Sequence, residues 1–248
     1  MSTLQLTPTG RRVIRAAVFT AAWCAAVAHA NPPEGKLYSL GAFDRVEVSG
    51  SAVIRYAQGP RNEVFVEGDE EAQRSVNLEV HNGQLLVRPT GSWKVWNHQR
   101  TQLNIMSVDL TRLSMSGAAD WLAGEPVAAK RLSVSISGAG LARFDQLKAE
   151  SLSFSVSGAG DGQVAGTVDE LNVSISGKSN FRGEHLQSQR ARIGVSGIGD
   201  VKVWAIQDLA VTVSGVGTVD YWGPAHVSRR TSGIARINDR GAKPARAP

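Results

Sequence analysis

Short polar side chains recur at one phase of this 248-residue chain, three positions after a Ser-Gly pair. They fall at Asp120, Asp161, Asn180, Asp200 and Thr218, with Leu141 and Arg236 at the same phase. If the segments carrying them stack in register, they form one column, with Asp161 and Asp200 two rungs and on the order of 10 Å apart. That is the outer limit of the spacing between the two carboxyls of an inverting glycosidase. Asp120, Asp161 and Asp200 are therefore the candidate catalytic residues, and carboxylates on neighbouring rungs also suit calcium. The structural alternative is that short polar residues cap a turn by bonding backbone amides. The column offers no Lys, His or Tyr to complete an acid–base set, which favours capping.

A second cluster is Trp93, Trp96 and His98 with Lys94 and Arg100, in the polar stretch GSWKVWNHQR. Two tryptophans in a loop can stack on sugar rings or anchor a protein partner; they can equally fold back over a core. Trp93, Trp96, His98 and Arg100 are the binding candidates. Ser135, Ser137, Ser155, Ser157, Ser174, Ser176 and Ser196 alternate with aliphatic residues and would form an outward hydroxyl ladder. Such a ladder serves either as a polar contact surface for glycan or protein, or as the solvated face of a sheet. No serine lies in a G-x-S-x-G elbow. His81, His185 and His226 share no metal-ligand spacing with His98, so no metal and no cofactor are expected. Glu67, Asp69, Glu70 and Glu71 read as a solvated turn. The GxG pairs open no helix, which a phosphate-binding glycine loop requires.

These residues are positioned by an internal repeat. The chain reads LSMSGAAD (113–120), LSVSISGAG (132–140), LSFSVSGAG (152–160), LNVSISGKS (171–179), ARIGVSGIG (191–199), LAVTVSGVG (209–217) and VSRRTSGIA (227–235). The glycines after serine are Gly117, Gly138, Gly158, Gly177, Gly197, Gly215 and Gly233, at a mean step of about 19 residues. Within each unit the alternation has period two, as in a half-buried strand: Leu132, Val134 and Ile136 face one way, their serines the other. Each Ser-Gly is expected to turn a corner with the glycine at positive φ. A unit of this length is either one coil of a parallel solenoid, with a perimeter of roughly 60 Å, or one hairpin of an up-and-down barrel. The solenoid explains why like residues recur at like slots, because neighbouring coils stack like on like. A membrane barrel requires apolar outward faces; here the outward slots are Ser and Asn.

Residues 36–112 are less regular but also strand-like, with His81-Asn82-Gly83-Gln84 as a tight hairpin turn. They are expected to supply the first coils and a cap over the open end of the solenoid. The opening 30 residues read as an export signal. Arg11, Arg12 and Arg15 precede the apolar run Val18–Val27, and Ala28-His29-Ala30 fits signal peptidase. The arginine pair also permits the twin-arginine route. Cleavage after Ala30 removes the lone cysteine, Cys24, and takes the formal charge from +5 to +2. Much of the remaining basicity lies beyond Val227, so the body is acidic and nucleic acid is excluded as a partner. No later segment is apolar enough to span a bilayer.

The opening FDRVEVSGSAVIRYAQG with VFVEGDEE, the SVSGAG units and the closing VDYWGPAHVSRRTSGIARI together resemble the putative auto-transporter adhesin head GIN domain family of exported bacterial proteins. The resemblance covers roughly residues 36–237. It implies a right-handed parallel β-helix and export, and no established enzymatic activity. Nothing after residue 238 carries the strand pattern of an auto-transporter barrel. The expected organisation is a signal peptide (1–30), an N-terminal β region (31–112), regular solenoid repeats (113–237) and a disordered basic tail (238–248). The expected function is a non-catalytic envelope or surface interaction module, adhesin-like, whose partner is a protein or glycan. The alternative is a carbohydrate-active β-helix enzyme, a polysaccharide hydrolase or lyase, that uses the aspartate column.

Overall fold

Alternation of aliphatic and polar residues produces long strands that run through the corners of a coil. The computed structural model describes residues 34–90 and 100–243. The regular part comprises β7 (Arg112–Ile136), β8 (Leu141–Val156), β9 (Asp161–Ile175), β10 (Lys178–Val195) and β11 (Ile198–Val213), then β12 (Val216–Trp222), β13 (His226–Thr231) and β14 (Ile234–Asp239). Each pairs in parallel with the strand one coil away, in the register Leu132, Leu152, Leu171, Ala191, Leu209, Val227. An up-and-down barrel would pair successive strands antiparallel. The parallel register decides the architecture: a β-solenoid of about six turns.

The interior is a set of stacked columns. Val134, Phe154, Val173, Ile193 and Val211 occupy one of them, all buried. In a neighbouring column two small residues separate the large rings: Trp121, Ala142, Gly162, Phe181, Val201. The Phe154 and Phe181 rings meet at 5.1 Å over Gly162, where a Cβ would lie 2.5 Å from the Phe154 ring. Burial of each large aliphatic or aromatic side chain contributes about 1.5–3 kcal/mol, so the columns supply most of the driving force.

The corner glycines serve a purpose other than the one expected. Of the seven, only Gly117 has a positive φ, at 108°. At the others the need is space. A Cβ on Gly138 would lie 1.9 Å from the carbonyl oxygen of Gly117, and one on Gly177 would lie 1.8 Å from that of Gly158. Gly158, Gly197, Gly215 and Gly233 meet the preceding corner equally closely. Backbone stacks on backbone at this edge, and only hydrogen fits between.

The N-terminal part covers one end of the stack. It contains β1 (Gly35–Ser39), β2 (Arg45–Gln58), β3 (Glu63–Glu67), α1 (Glu70–Arg74), β4 (Val76–His81), β5 (Gln84–Pro89) and β6 (Thr101–Ser107). β2 is the first coil strand, parallel to β7; β5 and β6 occupy its other edge. β3 and then β1 continue antiparallel from β6, and β4 closes a hairpin on β5. The hairpin turn lies where expected, with Asn82 and Gly83 at φ 49° and 75°. The acidic stretch is more than a solvated turn: Asp69 caps α1 by accepting from the Ala72 N–H at 2.9 Å, and Glu67 accepts from Arg55 and Asn104.

Regular structure also runs past residue 238, where a disordered tail was expected. Asn238 and Asp239 complete β14, and Arg240 donates its backbone N–H to the Tyr221 carbonyl at 2.9 Å. Asp220 on the preceding coil holds this segment by accepting from the side chains of Asn238 and Arg240.

Candidate binding surfaces

The polar column stands as its spacing predicts. Asp120 pairs with Leu141, Leu141 with Asp161, Asn180 with Asp200, Asp200 with Thr218 and Thr218 with Arg236, all in register at one edge of the solenoid. Two of its aspartates are engaged in hydrogen bonds to the next coil. Asp161 Oδ1 accepts from the Asn180 backbone N–H at 2.8 Å and from its side-chain amide at 3.0 Å. Asp120 Oδ1 accepts from the Leu141 N–H at 3.1 Å, and its other oxygen takes an ion pair from Arg100. Carboxylates that bond backbone N–H groups of the following rung hold the corner register. Asp200 is exposed and pairs with Thr218 across the rung.

Arg100 thus links the two candidate clusters. Besides Asp120, it donates to the Ala118 carbonyl at 2.6 Å, beside the Gly117 corner. Trp93, Trp96 and His98 lie outside the described residues.

The serines divide into two sets. Those at the corners bond backward: Ser137 Oγ to the Met115 carbonyl at 3.3 Å, Ser176 Oγ to Val156 and Ser196 Oγ to Ile175, each at 3.4 Å. These hydroxyls reinforce the ladder. Ser135, Ser155 and Ser174 instead stack in register on the flat outer face, beside Ser133, Ser153 and Asn172. Their hydroxyls point away from the aliphatic columns and form a level polar plane across three coils.

Two surfaces were missed by the sequence reading. One position after the last three corners stand Ile198, Val216 and Ile234, paired rung to rung and 56%, 46% and 75% exposed. The signal was present as SGIG, SGVG and SGIA, but the reading followed the polar position two residues later. The second is an open groove lined by Lys130, Lys148, Glu150, Asp169, Gln187 and Gln189. Its coil segments follow register shifts between Ala123 and Pro126 and between Phe144 and Leu147, which break the period-two pattern in the sequence. Among the described residues, no group of three or more His, Cys, Asp or Glu side chains is disposed to hold a metal ion. No helix among them is long and apolar enough to cross a membrane.

A family model described as putative auto-transporter adhesin, head GIN domain, matches residues 42–225. The crystal structure of a putative adhesin from Bacteroides fragilis superposes with a TM-score of 0.77, at 21% identity, over 84% of this chain and 97% of that one. A putative adhesin from Parabacteroides distasonis does so at 0.68, with 22% identity and coverage of 83% and 96%. One from Parabacteroides merdae reaches 0.64, with 18% identity and the same coverage. At these identities the likeness concerns the fold. No curated protein matches the chain.

Proposed function

We propose, from the premise that the chain belongs to the putative auto-transporter adhesin, head GIN domain family, that it is an exported, non-catalytic module that attaches to a surface through the rigid exterior of its solenoid. The observation that carries this reading is the polar plane of Ser133, Ser135, Ser153, Ser155 and Ser174 hydroxyls with the Asn172 amide, held in register by the columns beneath it. A plane of small donor–acceptor groups on a stiff sheet suits the hydroxyls of a glycan, because it presents many hydrogen bonds and loses little side-chain entropy on contact. Export rests on residues 1–30, and the family description supports a surface role. The carboxylates of Asp120 and Asp161 support the non-catalytic part, because they are engaged in the corner ladder.

The experiment pairs cell fractionation and N-terminal sequencing with binding of the purified protein to immobilised envelope polysaccharides. Cleavage after Ala30 and binding that is abolished in Ser155→Arg/Ser174→Arg, with unchanged circular dichroism, are the expected results. Depolymerisation of a polysaccharide that disappears in Asp161→Asn or Asp200→Asn would overturn the reading.

A further inference from the structure

The two ends of the solenoid differ. At the N-terminal end, β5 and β6 already occupy the outer edge of β2. At the C-terminal end β13 pairs with β11 and β14 with β12, and among the described residues no strand lies on their outer edges. The N–H groups of Ser232, Ile234 and Arg240 donate back to Val213, Gly215 and Tyr221. By the alternation of a parallel ladder, Val227, Arg229, Thr231, Ala235, Ile237 and Asp239 therefore turn their N–H and C=O groups outward.

This edge is strongly basic. Arg229, Arg230 and Arg236 stand on β13 and β14, and among the described residues no carboxylate forms an ion pair with any of them. Ile234, the most exposed large aliphatic among the described residues at 75%, lies beside them at the top of the Ile198–Val216 ladder.

We infer that this end is a β-augmentation site for an extended acidic segment of another protein, one that alternates aliphatic and carboxylate residues and adds as the next rung of the stack. The inference goes beyond surface attachment and does not depend on it. The fold already contains the pairing such a segment would make: Glu170 and Arg190 stand on adjacent rungs and bond at 3.0 Å. A carboxylate over Arg236 or Arg230 would repeat that contact, while the intervening aliphatic side chains would continue the inward columns over Ala235 and Ile237, which pack against the core. Main-chain bonds to the open edge supply affinity and the side chains supply selectivity. A second copy docked by the same end would set Arg230 and Arg236 against their own counterparts, so like charge opposes it. The segments outside the described residues, 1–33, 91–99 and 244–248, contain no Asp or Glu and so lack the carboxylates this occupant needs.

The test uses the purified protein and a fluorescein-labelled ten-residue peptide of alternating valine and glutamate. Its companions are a valine–lysine peptide, a valine–glutamate peptide N-methylated at alternate residues, and dextran sulfate as competitor. Fluorescence anisotropy at low salt should show saturable binding of the valine–glutamate peptide alone. Arg230→Glu/Arg236→Glu should weaken it at least tenfold, and Arg230→Lys/Arg236→Lys should retain it. Hydrogen exchange should slow at the amides of Ala235 and Ile237 when the peptide is bound. Equal binding of the N-methylated peptide, absence of that protection, or indifference to the Arg→Glu pair overturns the inference. Displacement by dextran sulfate at equal charge concentration also overturns it, since that outcome marks a general polyanion surface. None of these results bears on whether the serine plane binds polysaccharide.

Discussion

Arg229 stands in the inward-facing slot above Val211, and its guanidinium lies 5.8 Å from the centroid of the Tyr221 ring while donating to the Tyr221 hydroxyl at 3.2 Å. Five aliphatic or aromatic residues fill that column below it, so the last rung replaces a hydrophobe with a cation that keeps one end in water. An inward-pointing charge makes a further wholly apolar coil costly, so the edge resists stacking by an aliphatic rung and is left to a segment that brings carboxylates. Arg229→Ala should cost about 0.5–1 kcal/mol, the usual value of an exposed cation–π contact, read as a lower urea midpoint. Arg229→Val should instead extend the apolar column to the open end and give concentration-dependent association in analytical ultracentrifugation. A strictly monomeric Arg229→Val protein would deny the capping role.

The corner glycines give a sharper test, because their requirement is steric. A methyl group at Gly177 meets the Gly158 carbonyl oxygen at 1.8 Å, whereas one at Gly194, on the flat face of the same coil, has its nearest neighbour at 3.8 Å. Gly177→Ala should therefore cost at least ~3 kcal/mol or prevent folding, since backbone must separate from backbone. Gly194→Ala should stabilise by about 0.5–1 kcal/mol, through reduced freedom of the unfolded chain. Thermal unfolding of the two variants side by side checks both. A mild Gly177→Ala would mean that neighbouring corners can part without loss.

These glycines show where the sequence could be read and where it could not. Period-two alternation is a local property, so the inward and outward slots of Leu132 to Ile136 and their equivalents followed from the chain alone. The stacking of the Asp161–Asn180–Asp200 column followed from the regular repeat. The reason for glycine at the corner is non-local: it depends on the carbonyl of the residue one coil away, and a single unit carries no trace of that approach. The N-terminal cover was foreseen in outline, but the antiparallel order of β6, β3 and β1 is a matter of which long-range partner each strand finds. Arg229 looked like part of a basic tail because its neighbours in sequence are polar; its inward phase appears only when the repeat is counted through to the last coil. The engagement of Asp161 with Asn180 likewise required both rungs to be in place.

Asp161 is where the capping and catalytic readings part. Its Oδ1 holds the backbone and the side chain of Asn180, so Asp161→Ala removes the acceptor for a part-buried N–H. The expected cost is about 1–2 kcal/mol, as for loss of a capping side chain. Asp161→Asn retains an acceptor oxygen and should cost less than half of that. Urea denaturation of both variants provides the measurement. Equal stability of Asp161→Ala and the parent chain would remove the structural role and reopen the carboxylate column to catalysis.

The last prediction concerns acid. Burial works to raise the Asp220 pKa, but hydrogen bonds from Asn238 and Arg240, with the Arg240 charge, outweigh it and hold the carboxyl below its ordinary value of 3.8. Its side chain is only 14% exposed, and the Nε of Arg240 and one of its terminal nitrogens donate to the two oxygens at 3.1 and 3.2 Å. A group whose pKa is depressed on folding contributes stability above its unfolded pKa and loses it as pH falls through the folded one. The hold on Asn238 and Arg240 should therefore be complete above about pH 4 and weaken below it. At that point the segment from β14 to Lys243, whose ammonium lies 4.5 Å from the Trp222 ring, loses its carboxylate anchor. Hydrogen exchange of the Arg240 amide, which donates to Tyr221, should accelerate as pH is lowered from 5 to 3, beyond the intrinsic change. In Asp220→Asn the amide should exchange about fivefold faster already at pH 6, consistent with a loss of about 1 kcal/mol, and its excess acceleration in acid should vanish. A parent-like pH response in Asp220→Asn would place the acid sensitivity in another carboxylate and remove Asp220 as the anchor of the C-terminal strand.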